Sequence, residues 1–189
     1  MKYLLTFASI LVLSCFAQAQ SNWSIQTAIG VATETNLGDT GLRLSTKASR
    51  QIGKRWNAFA QIGTFQMFSS NENWSGDLAY QEKRSLSTTN FDLGGSLFLL
   101  NKSRVKLGIQ GALTARAGRQ LWPEFSQTVL GNQVIYYTYE KIREVGYAVG
   151  IDFSIKANDR IWIGLDTHCH NYNYFGEYLG IGLSATFQL

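Results

Sequence analysis

Four consecutive residues near the C-terminal end, His168-Cys169-His170-Asn171, carry side chains of the types that most often do chemistry. In an extended strand, His168 and His170 share a face and could bind a metal together. Two ligands make an incomplete site, and the spacing offers no third. No Gly-rich phosphate loop, zinc spacing or nucleophile elbow occurs elsewhere in the chain. The tetrapeptide therefore reads as the polar end of a strand. No metal and no cofactor are expected, and the chain reads as a non-enzyme.

A second group of chemically capable residues is spread along the chain: Arg43, Lys47, Lys106 and Arg116, against Asp92, Glu144, Asp152 and Asp166. Four residues of each sign form a balanced set. Buried charges persist only when paired and hydrogen-bonded. A hairpin around Asn158 would set Asp152 and Asp166 as diagonal neighbours. Two carboxylates so close need a cation between them, or one must hold a proton; Arg43, Lys47 and Lys106 are the candidate cations.

The elements that must position these charges are strands. Trp23, Ile25, Thr27, Ile29 and Val31 share one face of the first, and Ser24, Gln26, Ala28 and Gly30 the other. The same alternation recurs in seven further segments: 42–49, 56–64, 91–99, 105–114, 145–155, 161–166 and 179–189. No helical period competes over comparable lengths. The connections alternate too. Gln51–Arg55, Asn101–Arg104 and Ala157–Arg160 are short and polar, whereas Glu34–Thr40, Ser69–Ser85, Gly118–Glu140 and His170–Glu177 are long. Short turns at one end and long loops at the other is the layout of a transmembrane barrel.

Composition points the same way. The 189 residues are 45% hydrophobic and only 16% charged, against roughly 25% charged in a typical soluble domain. The apolar strand faces carry no Asp, Glu, Lys or Arg, while the opposite faces are rich in Gly, Ser, Ala and Thr. A soluble lipocalin-like carrier would be apolar inside and polar outside. Here the small, sparsely charged face suits a narrow lumen, and the uncharged face suits lipid. Trp23 and Trp56 near the short-turn end, and Tyr172, Tyr174, Phe175 and Tyr178 at the other, are placed as interfacial girdles. The net charge of +4 is too small and too scattered for nucleic acid.

Residues 1–19 read as a cleaved signal peptide: Lys2, an apolar run from Leu4 to Leu13, then Ala17-Gln18-Ala19. The alternative is a lipoprotein box at Val12-Leu13-Ser14-Cys15. Cleavage before Gln20 leaves Cys169 as the one cysteine, so no disulfide framework exists. Residues 20–189 then form one domain, an all-β, eight-stranded antiparallel up-and-down transmembrane β-barrel.

With these segments and the terminal strand Gly180–Leu189, the sequence resembles the small OmpA/OmpX-type outer-membrane barrels. That family usually closes with a Gly-rich alternating strand ending in an aromatic residue, which the barrel-assembly machinery recognises; here Leu189 is last and Phe187 stands two before it. The resemblance implies insertion in a bacterial outer membrane, with outer-membrane lipids as partners and a monomeric state expected. It implies little about activity, because this fold serves many roles. His168-Cys169-His170-Asn171 is also similar to the His-x-Ser-Asn motif of outer-membrane lipid A deacylases, but His170 replaces the nucleophilic serine, and acyl transfer lacks its attacking atom.

The long loops carry the remaining signal. Trp122, Phe125, Tyr136, Tyr137 and Tyr139 concentrate in Gly118–Glu140, and Gln133–Glu144 keeps a strand-like character. The fifth and sixth strands are expected to continue beyond the membrane as a protruding hairpin whose edge could recruit a protein or surface ligand. Structural or adhesin-like recognition is the leading role. The alternatives are a carrier or narrow channel for small apolar molecules, with a cavity among Phe59, Phe65, Phe98 and Trp162, and, third, a lipid-modifying enzyme.

Overall fold

A computed structural model describes residues 23–34, 40–75, 78–129, 132–172 and 176–189. Side chains are placed for these residues except 68–83, 122, 124–133 and 176–177. The expected signal peptide at residues 1–19, Tyr174 and Phe175 lie outside the described residues.

Eight strands run in chain order: β1 (Trp23–Glu34), β2 (Thr40–Gln51), β3 (Trp56–Ser75), β4 (Leu78–Asn101), β5 (Val105–Val129), β6 (Asn132–Lys156), β7 (Ile161–Tyr172) and β8 (Gly176–Gln188). Each pairs antiparallel with its neighbour, and β1 with β8 closes the barrel from Ser24↔Gln188 to Glu34↔Tyr178. Closure leaves no free edge at the level of the membrane, which is what a spanning sheet requires.

The short turns are built locally. Asn158 Oδ1 accepts the amides of Arg160 and Ile161 at 2.9 and 2.8 Å, an Asx-type turn. Lys156 Nζ reaches Asp159 Oδ1 at 2.8 Å and holds that exposed carboxyl below the usual aspartate range. These turns mark the periplasmic end in the layout of outer-membrane barrels.

The alternation read from the sequence sets the two surfaces. Ile29, Leu44, Ile62, Leu93, Leu113, Val149, Ile163 and Leu183, one from each strand, are all exposed on the outer wall. Buried positions instead include Arg43, Lys47, Gln61, Asn90, Asp92, Arg116 and Asp166. This is the inverse of a water-soluble barrel, and burying that outer wall requires lipid.

Two of the expected long loops are not loops. The described residues of Ser69–Ser85 fall within β3 and β4, which pair continuously from Trp56↔Leu97 to Ser75↔Leu78. Those of Gly118–Glu140 fall within β5 and β6, paired from Val105↔Ile155 to Val129↔Asn132. The polar, low-alternation sequence of these arms hid the strands, because a two-stranded ribbon in water has no buried face to enforce a period-2 pattern. Pro123 sits at a bulge where the register shifts between Pro123 and Phe125, a place where a residue without an amide hydrogen does least harm. Pairing between β4 and β5 ends at Ser85↔Leu121, so above that level the two hairpins part.

Candidate functional site

The lumen is filled in layers. At the outer mouth, Ala32, Phe65, Met67, Leu86, Ile142, Tyr172 and Tyr178 form an apolar cluster drawn from six strands. Phe65 and Tyr178 meet edge to face at 5.0 Å. Tyr172 and Tyr178 therefore do not belong to an interfacial girdle. Both lie on the inward parity and are nearly fully buried. Trp56 is half exposed on the outer wall near the short turns.

Beneath the cluster, Arg116 pairs with Glu144, its direct partner across β5 and β6. Its guanidinium also lies 4.1 Å from the Tyr172 ring centre and 4.7 Å from that of Tyr178. Such cation–ring contacts strengthen when desolvated. One ion thus ties β5 to β6, β7 and β8.

At mid-depth, Arg43 Nη1 lies 3.0 Å from Asp166 Oδ2 and 2.8 Å from His168 Nδ1. Arginine has no acceptor, so His168 Nδ1 must accept and its proton must sit on Nε2. The ring rests against Gly180, where any Cβ would strike it. Asp92 Oδ2 accepts from Asn90 at 2.9 Å, Gln61 at 3.1 Å and His170 Nε2 at 3.2 Å. The network continues downward through Lys47, whose Nζ lies 2.6 Å from Asp152 Oδ2 and 3.1 Å from Gln110 Oε1. Gln110 Nε2 in turn donates to Asp166 Oδ1 at 3.2 Å.

Several expectations change in detail. Asp152 and Asp166 are directly opposite in register, not diagonal. Two cations serve them: Lys47 holds Asp152 and Arg43 holds Asp166. Lys106 takes no part. Its ammonium stands 4.0 Å over the Trp162 ring at the periplasmic mouth, with no carboxylate in ion-pair range among the described residues. Asp92 is held by His170 and two amides in place of a Lys or Arg. Gln61, Asn90, Gln110 and Tyr172 join the network without having been expected there; Asn90, Gln110 and Tyr172 have the inward parity of a charged neighbour on their own strands, whereas β3 offers no inward charge to mark Gln61.

His168 and His170 stand 5.1 Å apart, ring centre to ring centre. Each commits a ring nitrogen, one to Arg43 and the other to Asp92. Among the described residues no three His, Cys, Asp or Glu side chains gather around one point. Both rings face the lumen and are buried, whereas an acyl-ester substrate would approach from lipid.

The four aromatics expected to line one cavity are dispersed. Phe65 is in the outer cluster, Phe59 lies under Lys47, and Phe98 and Trp162 line the periplasmic mouth. A cavity of about 130 Å³ opens there, ending at Lys47 and Asp152. Higher in the lumen, among the described residues, are voids of about 20 and 10 Å³.

Of the loop aromatics, Tyr136, Tyr137 and Tyr139 are exposed on the β6 arm. Trp122 and Phe125 belong to β5, and their side chains lie outside those described.

No protein-family model matches this sequence, and no curated protein matches it. Solved structures do. The outer membrane protein OprG from Pseudomonas aeruginosa is similar at TM-score 0.63 and 7% identity, with 89% of this chain and 96% of that chain covered. A major outer membrane protein from Thermus thermophilus is similar at TM-score 0.61 and 9% identity, covering 90% of this chain and 100% of that one. Ail, the attachment invasion locus protein of Yersinia pestis, is similar at TM-score 0.50 and 11% identity, covering 89% and 97%. At such identities the likeness is one of fold. That fold is the closed eight-stranded antiparallel barrel of the small OmpA/OmpX-type outer-membrane proteins.

Proposed function

We propose that the chain, exported by its N-terminal signal, is a non-enzymatic resident of a bacterial outer membrane. In this reading a plugged barrel serves as the base for two extracellular β-arms that recognise a protein or surface ligand. The observation that carries the reading is strand length. β1, β2, β7 and β8 have 12 or 13 residues, whereas β3 to β6 have 20 to 25. Twelve residues cover about 40 Å of path, enough at a ~45° tilt for the ~25 Å apolar band. The additional length therefore has no membrane to cross.

Above Leu121, β5 pairs with β6 alone, and β6 passes the last β7 partner at Gly146. The arm thus presents backbone edges together with exposed Tyr136, Tyr137 and Tyr139, a surface suited to strand addition. Attachment, the role that Ail's name carries, is the kind of work such arms suit. The test replaces residues 122–138 with a two-residue Asn-Gly turn between Leu121 and Tyr139. Folding should persist while binding to host or bacterial surfaces falls at least tenfold. Unchanged binding by the folded variant would remove the recognition role. The same preparations should give no steady conductance in planar bilayers, since the charge network and apolar cluster fill the lumen above the periplasmic cavity.

A further inference from the structure

At the end of the wall away from the short turns, one patch breaks the rule that cations face inward. Where β4, β5 and β6 leave the apolar band, three cross-strand rows stand one above another. The lowest is Phe91–Ala115–Val145, the middle Thr89–Ala117–Arg143, and the uppermost Ser87–Arg119–Lys141. The parity of each strand turns these residues outward, and Arg119, Lys141 and Arg143 are exposed. Arg119 and Lys141 are direct register partners, and like charges directly opposite destabilise a sheet. Among the described residues no carboxylate pairs with any of the three.

Beneath them Thr89, Phe91, Ala115, Ala117, Arg143 and Val145 border a shallow, open groove of about 590 Å³. Its floor is made by the small Ala115 and Ala117, with Phe91 and Val145 as walls. No cation answers the cluster at the same end of the short strands: Thr33, Thr40 and Asn171 carry no charge, and the residue of β8 paired with Asn171 is Glu177, of opposite sign. Tyr139, exposed and outward, stands directly above Lys141 on the same strand.

We propose that this patch is a binding site for a phosphorylated glycolipid of the outer leaflet. The arginines and lysine hold its phosphates, the groove takes an acyl chain, and Tyr139 covers a sugar face. Multiple cations in a short span call for more than one phosphate on the ligand, and an exposed aromatic ring suits a sugar, so a glycolipid fits better than a single-phosphate phospholipid. The groove below adds a chain-shaped apolar contact at the depth where acyl chains begin. The proposal rests on membrane insertion and not on the recognition role, because all three rows lie below the 122–138 truncation.

The test reconstitutes the full chain in phosphatidylcholine vesicles doped with bis-phosphorylated lipid A, with the same lipid A stripped of phosphate, or with phosphatidylglycerol. Lipid retained on the extracted barrel is then counted by mass spectrometry. Wild type should retain bis-phosphorylated lipid A at least tenfold over either alternative. The R119Q/K141Q/R143Q variant, with the lumen untouched and folding checked by circular dichroism, should lose that preference. Ala117→Leu, which fills the groove without changing charge, should weaken retention several-fold. Equal retention by wild type and the triple variant overturns the proposal, as does a preference for phosphatidylglycerol. Insensitivity to Ala117→Leu overturns the groove's part in it.

Discussion

The barrel has two walls made by different rules. The low wall, β7-β8-β1-β2, is cut to the thickness of a membrane, and its outward residues alternate cleanly to the strand ends. The high wall, β3 to β6, obeys the same rule up to the rows of Arg143 and Lys141 and then continues as two separate ribbons. The walls are joined through the lumen. Lys47 of β2 reaches Asp152 of β6, His170 of β7 reaches Asp92 of β4, and Arg116 of β5 reaches the Tyr172 and Tyr178 rings of β7 and β8. Stability is therefore concentrated where both walls face each other, and the arms are free to vary. A two-stranded ribbon alone is marginal in water, so the arms depend on the base and not the reverse.

Substitutions can break or sharpen this contrast. The largest effect belongs to Arg43→Ala, which leaves Asp166 buried without its cation. It should cost about 3–5 kcal/mol, read as a lower urea midpoint for unfolding from lipid vesicles; a change under ~1 kcal/mol would mean the low wall is not held across the lumen by this pair. Ile142→Ala, in the apolar cluster where β6 begins its arm, should cost about 2–4 kcal/mol. An equal loss from Tyr139→Ala on the arm itself would erase the distinction between base and arm.

Replacing residues 122–138 should shift barrel stability by less than ~1 kcal/mol. Hydrogen exchange on the intact chain sharpens this point: arm amides above Leu121 should exchange well before those of β1 and β8. The smallest effect is at the periplasmic turn. Asp159 is exposed and its carboxyl is held low by Lys156, so any contribution is present at neutral pH and disappears as pH falls through its titration. Asp159→Asn should leave the unfolding midpoint unchanged at pH 7, and a measurable drop would show that this turn anchors β6 and β7.

The sequence made much of the base legible. Within the membrane, lipid on one side and a packed lumen on the other force every strand to alternate, so parity assigned Arg43, Lys47, Asp92, Asp152 and Asp166 to the inside. Parity could not say which cation meets which carboxylate. Lys106 shares the inward face yet sits over Trp162, because its height on β5 places it at the mouth and away from Asp152. Tyr172 and Tyr178 looked interfacial because they end their strands, but the pleat turns both into the lumen.

What the sequence determined by itself is thus the number of strands, the sidedness of each and the placement of the short turns, since these follow from the period-2 contact with two different media. The tertiary structure decided the rest. Ion-pair partners depend on how register and closure stack residues from strands distant in sequence. The reach of the β3–β4 and β5–β6 arms depends on backbone pairing that persists where no apolar medium writes a pattern into the side chains. The outward cluster of Arg119, Lys141 and Arg143 belongs to both: parity turns each residue out, and only the cross-strand register brings the three together.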